Sequence, residues 1–243
     1  MLTGDLEKYE EFARHDLELC HSADMPWVSH SHTWLGLVNF WRGEWRAALE
    51  RFQEAVKLEP AGVWAGADWA FLFLGTAYAG EGDTALAMLD EKRGQLPSPG
   101  QANPIGAWAM LDAVVEGLAV LDEQIEAAKL YPLVLECINA GASVRLFGRG
   151  LMETVAGIAA AAGGQWEKAE GHYETALRQA HELPHKLEQP EVRRWYARML
   201  IDRNGPGDRD KARELLTEAI DTYRQIGMPK HVEMAEALLR ELM

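Results

Sequence analysis

Small residues recur along this chain in a fixed setting at intervals of about forty positions, and no other feature restricts its fold so tightly. A repeat alanine falls at Ala48, Ala87, Ala127, Ala169 and Ala212, spaced by 39, 40, 42 and 43 residues. The clearest unit, SHTWLGLVNFWRGEWRAALERFQEAVKLEP, holds Leu35, Gly36, Gly43, Trp45, Ala48, Phe52, Ala55 and Pro60. Two antiparallel helices approach closely only where small side chains sit at the crossing, a role that suits Gly36 and Ala48. Phe52 and Trp45 are then the knobs that fill the gap, Gly43 permits the tight turn, and Pro60 stops the second helix.

Further copies follow the same plan. FLFLGTAYAGEGDTALAML aligns Leu74, Gly75, Tyr78, Gly82 and Ala87, with Glu91 and Gly94 in place of the later aromatic and alanine. A third copy runs over about 105–139, where Ala127 and Tyr131 match Ala48 and Phe52 and Val115 stands at the small-residue crossing. The fourth, LMETVAGIAAAAGGQWEKAEGHYETALRQA, restores Gly157, Gly164, Trp166, Ala169, Tyr173 and Ala176. A fifth pair lengthens its turn through Asn204, Gly205, Pro206 and Gly207 and carries Ala212, Leu216 and Ala219. Gly227 suits a helix C-terminus and Pro229 the first turn of a last helix, whose Val232, Ala235, Leu239 and Leu242 share a face. The opening GDLEKYEEFARHDLELCHSA reads as the second helix of a hairpin that lacks its first, with Tyr9, Phe12, Ala13, Leu17 and Leu19 as an apolar stripe.

This order of Leu-Gly, turn glycine, alanine, aromatic, alanine and proline resembles the tetratricopeptide (TPR) repeat, at a longer period. The expected fold is all-α, a TPR-like right-handed superhelix of antiparallel helix pairs with a C-terminal capping helix. One solenoid is expected over 1–243: a lone helix within 1–22, hairpins at about 31–60, 68–97, 105–139, 148–183 and 189–226, and a cap at 229–243. The segments GGQWEKAEGHYETALRQA, ELPHKLEQPEVRRWYARMLIDR and GPGDRDKARELLTEAIDTYRQIGMPKHVEMAEALL are similar to the last hairpins of TPR-like modules in LuxR-type ATPase regulators and adenylate-cyclase-associated signalling proteins. That resemblance implies a non-catalytic protein- or peptide-binding module, the regulatory or sensor arm of a bacterial protein. A small-molecule effector sensor is the alternative. The chain shows no GxxxxGK[ST] loop, cyclase-like region or helix-turn-helix tail, so only the interaction role carries over.

In TPR superhelices the first helix of each hairpin lines a concave surface. Projected onto this chain, its N-terminal half would carry His30, Thr33, Leu37, Phe40, Trp41, Trp69, Leu72 and Thr76, an aromatic and apolar wall. The C-terminal half would carry Asp112, Glu116, Thr154, Ile158, Glu191, Arg194 and Arg198, of mixed charge. A peptide's apolar anchors would bury against Phe40, Trp41 and Trp69, and Arg194 and Arg198 would take a carboxylate.

Charge and motifs exclude other classes. Net charge is −14, from 38 acids against 24 bases, which repels phosphate backbones and anionic headgroups, so neither nucleic acid nor a membrane is an expected partner. Cys20 and Cys137 have no disulfide or zinc spacing, and the acidic start lacks the basic-then-apolar order of a signal peptide, so a cytoplasmic location is expected. His181, Glu182 and His185 satisfy the HExxH string, which keeps a zinc hydrolase as a remote alternative, yet Pro184 disfavours a helix there, so the two histidines need not share a face. His15, Asp16, Cys20, His21, Asp24, His30 and His32 are metal-friendly side chains without a ligand spacing. No metal, cofactor or catalytic residue is expected. An exposed apolar side on residues 5–20 would favour a homodimer through the N-terminal helix.

Overall fold

The computed structural model describes residues 3–243, which are all-α and contain no strand; Val144 and Leu151 make an isolated bridge. The contacts divide the chain into two units, one of residues 6–123 and one of residues 124–243 with residues 3–5.

The first unit holds α1 (Leu6–Ser22), α2 (Val28–Trp41), α3 (Trp45–Leu58), α4 (Ala67–Tyr78), α5 (Gly82–Lys92) and α6 (Ile105–Val120). Helix α2 packs on α1 and α3, and α4 on α3, α5 and α6. The sequence of each helix follows from its neighbours. Helix α3 buries only Ala48, Phe52 and Ala55 and turns Arg46, Glu50, Glu54 and Lys57 to solvent, a stripe at helical period. Helices α2 and α4 have neighbours on several sides and are apolar around most of their circumference, as is α6, which packs on α4.

The glycine at the crossing is a steric requirement. A Cβ on Gly36 would lie 2.4 Å from the Phe52 ring, so the two helices meet there with no room for a methyl group. Phe52 also meets Gly75 of α4, where a Cβ would lie 3.2 Å from the same ring. Thus Phe52 serves two crossings, and α5, the second helix of the next hairpin, carries no aromatic. Its buried alanine is Ala85, one turn before buried Leu89, and Ala87 is exposed, which corrects the alignment of that repeat. In α6 the small residue is Gly117, against which Phe73 packs at 2.5 Å from a virtual Cβ; Val115, expected there, is simply buried.

The stripe expected on α1 is divided. Tyr9 and Ala13 are buried with Leu6 and Cys20, whereas Phe12 and Leu19 are 63% and 49% exposed. At 3.6 residues per turn the five spread over an arc of roughly 160°, and packing on α2 selects the narrower set 6, 9, 13 and 20.

The second unit holds α7 (Gln124–Lys129), α8 (Tyr131–Asn139), α9 (Met152–Ala162), α10 (Trp166–Glu182), α11 (Glu188–Arg203), α12 (Asp208–Ile226) and α13 (Pro229–Glu241). Pro132 lacks an amide and sits in the first turn of α8, which accounts for the break at Leu130 within what reads as one helix. Both α7 and α8 pack on α9. The Gly36 arrangement returns in the next pair: a Cβ on Gly157 would stand 2.6 Å from the Tyr173 ring. Tyr173 stacks on Tyr196 of α11 at 5.4 Å. Asn204 closes α11 in the left-handed region, Gly227 closes α12 the same way, and Pro229 opens α13.

Candidate functional site

In the first unit, α2 and α4 carry the aromatic positions expected to wall an open groove, and these are consumed by packing. Phe40, Trp41 and Trp69 are 6%, 3% and 5% exposed. Trp41 lies 6.2 Å from Tyr9 of α1, Phe40 meets Tyr78 edge-on at 5.0 Å, and Trp69 stacks on Phe73 at 5.3 Å. Leu37, Thr33 and Thr76 are buried as well, and Leu72 is half-buried. The expected docking wall of Phe40, Trp41 and Trp69 is therefore corrected: with α1 and the next helix packed against them, these rings are core. Thr76 donates to the Leu72 carbonyl at 2.7 Å. On α6, Asp112 and Glu116 are also buried, and Tyr78 donates to Glu116 Oε1 at 2.7 Å.

The polar members of α2 have different surroundings. Thr33 donates to Asp68 Oδ1 at 2.6 Å, while Asp68 Oδ2 is buried and accepts no hydrogen bond. Glu59 caps α4 by accepting the amides of Gly66 at 3.0 Å and Asp68 at 2.7 Å. Burial pushes the Glu59 carboxyl upward against those two amides. His30, one turn before Thr33, stacks on Trp27 at 5.2 Å and meets Trp64 edge-on at 5.3 Å. Burial pulls the His30 imidazole below its ordinary range, against the opposing charges of Asp68 and Asp16. Trp27, Trp64 and Asp68 were not singled out as a group by the repeat pattern, because two of them lie in the turns that precede α2 and α4. The signal available was a tryptophan just before each first helix.

In the second unit, Arg194 is buried and Glu191 is mostly so. Arg194 donates to Glu191 Oε2 at 2.6 Å, Tyr223 donates to Glu191 Oε1 at 2.6 Å, and His231 Nε2 lies 3.7 Å from the same oxygen. Arg194 is thus engaged within the fold, while Arg198 lies on a half-exposed face with Asp202 at 3.1 Å. Thr154 and Ile158 of α9 are buried. Thr154 donates at 2.5 Å to Glu188 Oε1, which also accepts the Leu151 amide at 3.1 Å. Full burial raises the Glu188 carboxyl to about 8, although Thr154, the nearby Arg145 and the Leu151 amide all favour its ionised form.

The HExxH string is divided between two environments. Helix α10 ends at Glu182, leaving His181 and Glu182 exposed, whereas His185 is fully buried. His185 Nε2 donates to the Gly148 carbonyl at 2.9 Å and Nδ1 accepts the Glu188 amide at 3.3 Å. The two histidines do not share a helical face. Among the described residues no group of three or more His, Cys, Asp and Glu side chains has metal-holding geometry; in the N-terminal set, Asp16 Oδ2 instead accepts the Ser31 hydroxyl at 2.5 Å.

A cleft of about 300 Å³ lies among α1, α2 and α3, floored by Leu35, Val38 and Ala47 and rimmed by Glu10, Arg14, Glu50 and Arg51. Glu10 pairs with Arg14 and Arg42, whose donated hydrogen bonds hold its carboxyl below the usual range. No helix among the described residues is long and apolar enough to cross a membrane. No family model matches this chain, and no curated protein matches it.

Proposed function

We propose that this chain is a TPR-like module that binds a protein or peptide, serves as the regulatory or sensor arm of a bacterial signalling or transcription-regulatory protein, and performs no catalysis itself. The observation that carries the reading is the repeated crossing. Gly36 against Phe52 and Gly157 against Tyr173 present the same clash-limited contact in two separate helix pairs, at the positions where the TPR pattern places it. Stacked hairpins of this kind make extended surfaces without enclosing a reaction chamber, and recognition by such surfaces needs side chains left outside the core. The exposed residues at the turns before α2 and α4 meet that need better than the buried Trp41 and Trp69.

The test is reconstitution. Proteins that co-purify with the full chain from its host are remade pure and titrated by calorimetry. A saturable complex, weakened when Trp27 and Val63 are replaced by serine, supports the reading. Absence of any stoichiometric partner, or turnover of a substrate by the chain alone, would contradict it.

A small-molecule sensor is the second reading, favoured by the 300 Å³ cleft among α1, α2 and α3, a volume at the lower end for ligand sites. Arg14→Ala and Arg51→Ala would abolish metabolite binding under that reading and leave protein binding intact. Pairing of two chains through Phe12 and Leu19 of α1 is a further part of the proposal, and sedimentation of a Phe12→Ser, Leu19→Ser variant as monomer beside a dimeric wild type is its check.

A further inference from the structure

Trp27 and Trp64, in the turns before α2 and α4, meet the His30 ring of α2, whose imidazole feels the charge of buried Asp68. Trp27 stacks on His30 with planes 28° apart, and Trp64 stands edge-on to Trp27 at 6.2 Å and 85°. Trp27 is 38% exposed and Val63 57% exposed. The Val63 carbonyl accepts the Gly106 amide at 2.9 Å, which places exposed Ile105 beside it, so an apolar rim runs along one end of this unit. Asp68, at the start of α4 one turn after Trp64, is completely buried, with Thr33 on one oxygen and no hydrogen bond to the other.

Charge decides what such a site accepts. Asp68 and the capping Glu59 bring two carboxyls to the start of α4, and neither has an ion-pair partner among the described residues. His30 supplies little positive charge near neutral pH, because burial pulls its imidazole down. A buried carboxylate oxygen without a donor is costly, and the faces of tryptophan rings are themselves electron-rich. The arrangement rejects anions and lacks only a cation.

We propose that the Trp27, His30 and Trp64 rings and Asp68 form a subsite for an arginine side chain presented by the partner peptide. This rests on the peptide-binding reading above and names the chemistry it selects. A guanidinium is planar and weakly hydrated, so it slides along an indole face while its N–H groups reach Asp68 Oδ2. Both tryptophans are carried by the turns that precede α2 and α4. Apolar residues flanking the arginine lie on Val63 and Ile105.

The experiment titrates the full chain with the N-acetylated, amidated tripeptide leucine-arginine-leucine and reads the indole N–H signals in nitrogen-15 spectra. Trp27→Phe and Trp64→Phe identify the two signals. Both move saturably with the arginine peptide, and a citrulline counterpart of the same shape binds at least about tenfold more weakly. Asp68→Asn, a near-isosteric change, weakens the arginine peptide by a similar factor and leaves the citrulline peptide unchanged. Equal binding of the two peptides to the wild type, or no movement of either signal at millimolar peptide, overturns the subsite whatever the folding of the variant. If the reconstituted partner binds while these signals stay still, the subsite falls and the module reading stands. If the peptide binds here and no partner protein exists, the reverse holds.

Discussion

At the scale of residues, the tightest crossings leave no room for a single methyl group. Gly36→Ala drives a Cβ into the Phe52 ring and should cost about 1–3 kcal/mol in urea unfolding, the range for overpacking a core. Gly171, in the middle of α10, has nothing within 4 Å of a virtual Cβ, so Gly171→Ala should stabilise by roughly 0.5–1 kcal/mol. Opposite signs from one substitution type separate packing from propensity. Glu188 gives a pH signature. Its carboxyl ionises near 4.5 when unfolded and near 8 when buried, so the folded state holds the extra proton between those values. The stability this provides is complete below about pH 4.5 and is lost as pH rises through about 8. Glu188→Gln, a mimic of the protonated form, should match the wild type near pH 5 and exceed it by on the order of a few kcal/mol near pH 8. Stability curves for both proteins at the two pH values check this; parallel curves would contradict the raised carboxyl.

At the scale of elements, much was legible. Helix ends follow from turn glycines, from Pro60 and from the Gly227 and Pro229 pair, because those residues act through their own backbones and need no knowledge of tertiary packing. The break at Leu130 does not follow from the repeat: Ala127 and Tyr131 fit the spacing of a single repeat helix, whereas Pro132 in the first turn of α8 divides it. Ala87 was misplaced for a related reason. Spacing from Gly75 points to it, whereas the knob for that crossing comes from Phe52 of the preceding hairpin, a contact no local pattern reveals. His185 shows how far an element depends on a single side chain. It ties the turn after α10 to the segment 142–151, in which Phe147 and Gly148 have left-handed backbones and Arg145 and Arg149 are buried. Losing that hydrogen bond costs about 1 kcal/mol or more, so His185→Ala should quicken tryptic cleavage after Arg145 and Arg149 about fivefold or beyond, measured by mass spectrometry under native conditions. An unchanged rate would show that the segment is held by other contacts.

At the scale of the molecule, the all-α class was legible and the candidate site was not. Projecting repeat positions inward gave His30 and Thr33, which do lie beside Asp68, but it also gave Phe40, Trp41 and Trp69, which are core. Inward-facing positions are exposed or buried according to how closely neighbouring helices stack, and that closeness is set by many side chains together. Net charge is a property of the chain as a whole, and −14 gives a summed field that opposes polyanions. A labelled duplex of mixed sequence should show no mobility shift with micromolar protein at physiological salt; a shift that falls steeply with added salt would reverse the expectation. Gly36 against Phe52 and Gly157 against Tyr173 make the same clash-limited crossing in two helix pairs. Double-mutant cycles test it most directly, pairing Gly36→Ala with Phe52→Leu and Gly157→Ala with Tyr173→Leu in equilibrium unfolding. The account predicts that each alanine costs far less once its aromatic is gone, a coupling of roughly 1–2 kcal/mol in both pairs. Additive costs in either pair would contradict it.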